Sequence, residues 1–267
     1  MKNICILGCG WLGLPLAKSL INKGFSVKGS TTSEAKLAVL EFANIRAYSI
    51  RLTENEVIGQ IDDFLSESEI LIIDIPPKLR GDGAENFVAK IATLIPFIAK
   101  STINHVMFIS STSVYADDNT IVTENSQPEP DTESGRQLLA TEKLLQTNTN
   151  FKTTVIRFGG LIGENRHPIH FLAGRQNLEN PEAPINLIHQ DDCIGIIEAV
   201  IAQKTKGEVF NAVAPYHPSR KDYYTQKAVA LGLPLPEFGE SKKSVGKTIL
   251  SDKIANTLNY TFRNADL

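Results

Sequence analysis

Residues 4–13 read Ile4-Cys5-Ile6-Leu7-Gly8-Cys9-Gly10-Trp11-Leu12-Gly13. The apolar run Ile4–Leu7 predicts a buried strand. Gly8, Gly10 and Gly13 follow with the spacing G-x-G-x-x-G. A helical stretch then runs from Leu14 to Lys23, with Pro15 in its first turn, where a missing N–H costs little. Gly24 stands where a glycine ends a helix. Strand, glycine turn and helix in this order form a dinucleotide-binding fingerprint. The first glycine permits a tight turn, the second lets the backbone approach a pyrophosphate, and the third brings the helix close to the strand. The helix then offers its first N–H groups to the phosphates. Gly8, Gly10, Trp11, Leu12 and Gly13 are therefore expected to contact a cofactor.

Working outward, the second strand, Ser26–Ser30, leads into Ser30, Thr31, Thr32 and Ser33 rather than into an acid. An Asp or Glu near this point serves the ribose hydroxyls of NAD, whereas a basic or hydroxyl-rich site admits a 2′-phosphate. Ser30, Thr31 and Thr32, with Lys28 and Lys36 nearby, point to NADP over NAD. Ser33 is also placed to cap a helix over Glu34–Phe42. Strands are expected at Ile45–Ile50 and Ile70–Ile75, with a weak helix at Val57–Leu65 between them. The second of these strands ends in Asp74-Ile75-Pro76-Pro77. Its prolines stop the strand and stiffen the turn against which a nicotinamide or adenine would lie, so Ile75, Pro76 and Pro77 join the cofactor set. Lys78–Ala84 reads as a polar loop.

The pattern continues with a helix over Asn86–Lys100, interrupted near Pro96, and a strand over His105–Ser111. A polar loop at Asp117–Thr132 is placed to rim a cleft. A helix over Arg136–Gln146, capped by Ser134, and a strand over Thr153–Phe158 follow. Glu164–Pro184 is irregular and rich in polar groups. Beyond it lie a strand at Ile185–His189, a helix over Ile194–Ala202 capped by Asp191 or Asp192, and a strand at Val209–Val213. A helix opens at the Ser219/Asp222 capping box, and the last helix spans Ser251–Leu258. Alternation of this kind predicts a doubly wound parallel sheet, a Rossmann α/β fold. A dinucleotide-binding domain over 1–163 is expected, with a smaller substrate lobe over 164–267 that partly returns to the sheet.

The 267 residues suit one large α/β domain with an appendage. A net charge of -3 gives no reason to invoke nucleic acid or an anionic membrane. No stretch is long enough to span a bilayer. Cys5, Cys9 and Cys193 show neither metal spacing nor a disulfide framework, which fits a reduced, cytoplasmic setting. Glycines and Pro15 interrupt the first apolar run, and no cleavage site marks it as a leader.

Together these segments resemble the extended short-chain dehydrogenase/reductase superfamily, the NAD(P)-dependent epimerase/dehydratase group. The resemblance rests on the glycine turn, on FISSTSVY ending the fifth strand, VIRFGGLIG after the sixth, NLIHQDD before a helix, and VFNAVAP. The opening also resembles the β-hydroxyacid dehydrogenases. Those enzymes continue into a long all-helical domain, whereas strand signals here persist past residue 210. One departure is that Leu7 occupies the place of the first glycine in the G-x-x-G-x-x-G usual in extended members.

The resemblance implies a catalytic Asn, a Ser and a Tyr-x-x-x-Lys pair. Ser111 matches the serine, and Asn86 falls at the spacing of the asparagine. The tyrosine and lysine positions fall on Ser134 and Leu138, neither of which can do the acid–base work. A proton must then come from Tyr115, His167 or His189. Arg166 and Arg175 suit a carboxylate or phosphate of the substrate, and His189 is grouped with them. The resulting expectation is an NADP-dependent oxidoreductase or epimerase acting on a small polar or nucleotide-linked molecule. The alternatives are an NADP-binding sensor without turnover and an interaction protein that uses the fold alone. Family members often pair through two helices, here Asn86–Lys100 and Arg136–Gln146, so the resemblance allows a homodimer, while the apolar stripes of the same helices equally suit burial inside one chain.

Overall fold

The computed structural model describes residues 3–77, 85–239 and 243–267. The expected loop at Lys78–Ala84 lies outside the described residues. Seven parallel strands form the central sheet: β1 (Asn3–Leu7), β2 (Ser26–Thr31), β3 (Arg46–Ser49), β4 (Ile70–Ile73), β5 (His105–Ser111), β6 (Lys152–Phe158) and β7 (Val209–Ala212). Their spatial order is 3-2-1-4-5-6-7, the doubly wound arrangement with its direction reversal between β1 and β4. Register is continuous at that point, Ile4 to Leu7 pairing with Ile70 to Ile73.

Strands covered on both faces need apolar residues at every position, and β1 supplies them. Ile4 and Ile6 enter one core with Leu16, Leu20, Phe158 and Ile196. Cys5 and Leu7 enter the opposite core with Phe64, Leu71, Phe87 and Phe108. The first face is covered by α1 (Gly13–Asn22), α2 (Leu37–Phe42), α5 (Gln190–Gln203) and α7 (Asp252–Leu258), the second by α3 (Phe87–Lys100) and α4 (Glu133–Gln146). α6 (Arg220–Ala230) packs outside the sheet, where Tyr223, Tyr224 and Ala228 meet Ile162, Ile169, Ile185 and Leu187.

Local chemistry explains most helix ends. α1 closes on Gly24 at φ +85°, with Phe25 N–H donating to Leu20 and Gly24 N–H to Ile21, a Schellman end. Ser219 Oγ accepts from Asp222 N–H at the head of α6, as its capping box predicts. Three expected caps move. Thr132, not Ser134, caps α4 through Gly135 N–H. His189, not an aspartate, caps α5 by accepting from Asp191 N–H at Nδ1. Ser33 makes no side-chain cap, and the predicted helix 34–42 splits into a 3₁₀ turn, Glu34–Lys36, followed by α2. α3 runs through Pro96 without a break. The region 51–65 is a small antiparallel ribbon, Arg51–Leu52 with Val57–Ile58, followed by one helical turn at Ile61–Leu65, rather than one helix. Parallel ribbons at Gly160–Ile162 with Leu187–His189, and Ile121–Val122 with Thr248–Ile249, tie later segments to the carboxyl end of the sheet. Among the described residues, no helix is long and apolar enough to cross a membrane.

Candidate active site

The site begins at the reversal between β1 and β4. Gly8 adopts φ +108°, and a Cβ there would lie 2.2 Å from the Asp74 carbonyl oxygen. A Cβ on Gly13 would lie 2.2 Å from the carbonyl oxygen of Gly8. Both glycines are required by backbone contact within the protein itself. Gly10 differs, because a Cβ there would meet nothing within 4 Å. It faces open space, as a backbone kept bare for a ligand should. The turn is closed by Gly10 N–H donating to the Gly8 carbonyl at 2.8 Å and Cys9 N–H donating to the Ser30 carbonyl at 2.7 Å. The positive end of the α1 dipole faces the same space, although the Gly13 N–H already meets the Asp74 carboxyl and the Leu14 N–H donates to the Gly10 carbonyl at 3.2 Å.

A cavity of about 440 Å³ opens there, lined by Gly8, Gly10, Thr31, Thr32, Asp74 and Pro76 among others. Lys36, Arg51 and Lys90 bring cations to its rim, and Ile50, Leu52, Ile75 and Phe87 bring apolar surface. Arg51 was not singled out by sequence. It follows a short strand and became part of the site only through the ribbon that turns it toward β2. One expected contributor, Lys28, serves another end, and a second, Ser30, lines the cavity while also shaping the turn. Lys28 is buried, its Nζ donating to the carbonyls of Asp63 and Ser66 at 2.7 Å each and to Ser66 Oγ. Ser30 is buried too, and its Oγ accepts from Gly8 N–H at 3.1 Å, so it shapes the glycine turn. Thr31 Oγ1 accepts from Ser33 N–H, while Thr32 and Lys36 are exposed.

Asp74 stands between the glycines. Burial pushes its carboxyl up to about 7, against the Gly13 N–H and the charge of Arg166, which favour the ionised form. Arg166 lies over the Trp11 ring, 4.9 Å from its centroid. Gln190 Nε2 donates to the Trp11 carbonyl at 2.6 Å, and a Cβ on Gly163 would come within 2.9 Å of the indole. The chain after β6 therefore packs directly on the glycine turn. Arg166 and His189, expected at a substrate, lie here beside the cofactor fingerprint.

The other expected groups disperse. Asn86 caps α3, its Oδ1 accepting from Ala89 N–H at 3.0 Å, and it is exposed. Ser111 ends β5 half-buried, its Oγ accepting from Ser113 N–H. His167 has both ring nitrogens engaged: Nδ1 accepts from Ile169 N–H and Nε2 faces Tyr223 Oη at 2.9 Å. Burial first, then the charge of Lys227, lowers its pKa to about 4. It is a neutral structural ring stacked on Tyr223. Arg175 is exposed, and its backbone pairs with Glu237.

Tyr115 is 2% exposed. Its hydroxyl donates toward Asn211 Oδ1 at 3.0 Å and accepts from Arg157 Nη1. Arg157 is held by Glu142, with Nη2 to Oε2 at 2.6 Å, and Ser110 Oγ donates to the same carboxylate. This network fills the interior between α4, β6 and β7. Leu138, at the position the resemblance gives to the lysine, is 4% exposed in the core. Sequence reasoning missed the network because its members are scattered from 110 to 211. It also missed Asp192, which is buried and accepts from Tyr260 Oη, Arg263 N–H and both nitrogens of Asn264. Among the described residues no metal-binding cluster occurs.

No protein-family model matches the chain. It is 35% identical to protein YeeZ of Escherichia coli strain K12 over 269 residues, covering all of this chain and 97% of that one. Among solved structures, a functionally unknown conserved protein from Silicibacter pomeroyi superposes with a TM-score of 0.81 at 22% identity, covering 99% of this chain and 95% of that one. UDP-glucuronic acid 4-epimerase from Bacillus cereus, in complex with NAD, superposes at 0.80 and 17% identity, covering 98% and 94%. UDP-N-acetylglucosamine 4-epimerase from the same organism gives 0.79 at 17% identity over the same shares. The dinucleotide in the first of these epimerases is NAD, not NADP. By its full-length likeness to protein YeeZ the chain belongs to the YeeZ family, built on the fold of the extended short-chain dehydrogenase/reductases.

Proposed function

We propose that the chain binds NADP at the carboxyl ends of β1, β2 and β4 and acts as an oxidoreductase or epimerase on a small polar or nucleotide-linked substrate. The observation that carries this reading is Gly10. Two of the three glycines are demanded by the fold, but this one is left bare over open space. A pyrophosphate at the head of α1 explains it. The N–H groups of Trp11 and Leu12 would hold that diphosphate, with Gly13 bringing the helix close behind them. Lys36 and Arg51 would take the 2′-phosphate, and Ile75, Pro76 and Pro77 would bound the flat rings. NADP supplies the hydride chemistry when bound. Ser111, half-buried at the end of β5, would hydrogen-bond the reacting oxygen. The substrate is taken by the part of the chain after Gly163. Nucleotide sugars, the substrates named for the Bacillus cereus epimerases, are the first class to try.

A second reading, an NADP-binding sensor without turnover, draws support from Tyr115 and His167. Neither presents a free proton-transfer group, and a positioned proton donor is worth ~10²–10⁴-fold in rate. Titration of Trp11 fluorescence with NADPH and NADH tests the shared part. NADPH should bind at least ~10-fold more tightly, the worth of one charge-assisted contact. Lys36→Ala with Arg51→Ala should erase the preference. Equal affinities would return the cofactor assignment to NAD. Turnover of a carbonyl or nucleotide-sugar panel, lost in Ser111→Ala, separates the enzyme from the sensor.

A further inference from the structure

The glycine turn holds two claimants for one positive helix end. The Gly13 N–H at the head of α1 already faces the Asp74 carboxyl. A Cβ on Gly13 would lie 3.2 Å from Asp74 Oδ2, so the carboxyl sits against the first residue of the helix. Asp74 also lines the same cavity as Gly8 and Gly10. A dinucleotide entering that cavity brings its diphosphate to the same helix end. A carboxylate and a diphosphate, both ionised in one partly buried site, repel strongly.

We propose that dinucleotide binding to this chain takes up one proton, that Asp74 is the group that receives it, and that the site is therefore selective for the neutral-carboxyl form of the protein. This inference rests on the dinucleotide reading above. The protonated carboxyl keeps one oxygen as an acceptor for the Gly13 N–H and offers its O–H to the incoming ligand. Arg166, held on the Trp11 ring, then turns its charge from Asp74 to the diphosphate.

Glu85, Lys36, Arg51 and Lys90 line the same cavity as Asp74, and other groups approach it from three further segments. From the glycine turn comes Cys9, whose thiol is pushed up to about 12 by burial and by Asp74 itself. From α5 comes Cys193, pushed well above the usual thiol range by burial and by its acidic neighbours. From the chain after β6 comes Arg166, which stays charged. His189 at the head of α5 lies 3.4 Å from its own Asp191, and the Asp74 variant below separates its titration from that of Asp74.

The test uses the full chain and NADH, whose phosphates do not titrate near neutrality. Affinity is read from Trp11 fluorescence between pH 6 and 9, and proton uptake by calorimetry in two buffers of different ionisation enthalpy. The sign follows from linkage: a group protonated in the complex but ionised in the free protein weakens binding as pH rises. The expected slope approaches tenfold per pH unit above neutrality and flattens below it. Proton uptake near pH 8 should approach one per NADH. Asp74→Asn, neutral and of the same shape, should bind more tightly than wild type at pH 8.5, with no uptake and no slope. Wild-type binding with no proton uptake, or with proton release, overturns the proposal while leaving the dinucleotide reading intact. A slope unchanged in Asp74→Asn assigns the proton to a group other than Asp74 and also overturns it. Absence of NADH and NADPH binding at every pH removes the dinucleotide reading and this inference with it. The wild-type proton count stands on its own should the variant fail to fold.

Discussion

Two strand ends of one sheet have been put to opposite use. At β1 and β4 the backbone is bent tightly, side chains are withheld, and the space above Gly10 is open. At β5, β6 and β7, where the resemblance expects a working tyrosine and lysine, the interior is closed. There Tyr115, Arg157, Glu142, Ser110 and Asn211 satisfy one another, with only Asn211 Nδ2 unpaired among the described buried side-chain atoms. The contrast shows that a ligand site and a structural network can be told apart by what each lacks. The first lacks side chains where a fold could accommodate them; the second leaves a single donor, Asn211 Nδ2, without a partner among its described groups.

That contrast breaks most visibly at Glu142. Replacing it by Ala leaves Arg157 buried without its counter-charge, and removing one partner of such a pair costs ~3–5 kcal/mol. Urea denaturation of Glu142→Ala should show a loss of that size. Tyr115→Phe, which deletes only the hydroxyl, should cost ~1–2 kcal/mol and leave any turnover in place. Turnover abolished in Tyr115→Phe with folding intact would return the tyrosine to catalysis.

The glycines sharpen the other side. Gly8→Ala places a Cβ 2.2 Å from a backbone oxygen at a positive φ. Strain and overpacking together should cost ~2–5 kcal/mol. Gly10→Ala meets no protein atom, so stability should stay within ~1 kcal/mol of wild type while NADPH affinity collapses. Equal behaviour of the two variants, in denaturation and in dinucleotide titration, would remove the distinction between fold glycine and ligand glycine.

A smaller effect concerns the opposite end of the sheet. His105 is buried against Thr154, and burial, then Lys206, lowers its pKa to about 4. The unfolded chain takes a proton near pH 6.5 that the folded chain refuses until about 4. Stability from this ring is therefore full above pH 6.5 and declines as pH falls from there toward 4. At pH 5 the loss should reach at most ~2 kcal/mol. Asp74, with its pKa raised, acts in the opposite sense over the same range. The comparison to make is therefore wild type against His105→Gln at pH 7 and pH 5, by chemical denaturation. An unchanged difference between the two pH values would show that the imidazole is not held neutral.

Much of the fold was legible in local chemistry. The seven sheet strands fall within the predicted runs or within a residue of them; β1 and β4 were clearest, because a strand buried on both faces is apolar throughout. The glycine spacing was legible because positive φ and close backbone approach admit no other residue. Errors gathered where one local feature had two possible uses. Ser134 and the Asp191/Asp192 pair are good caps by type, yet neighbouring residues cap, and Ser33 makes no side-chain cap at all, since which polar side chain turns back depends on where the chain enters the helix. Lys28 carried the right chemistry for a phosphate site but is buried with its ammonium on the carbonyls of Asp63 and Ser66, which residue type alone does not reveal.

The sequence by itself determined the layer architecture and the strand–turn–helix at the amino end, because periodicity and glycine spacing are local properties of the chain. Tertiary structure alone decided that Arg51 joins the rim of the cavity above Gly10, that Arg166 rests on Trp11, and that Tyr115 is held in an interior network. Each depends on residues distant in sequence meeting across a sheet. Burial, which sets whether a polar group is a ligand, a proton carrier or a strut, exists only once they have met.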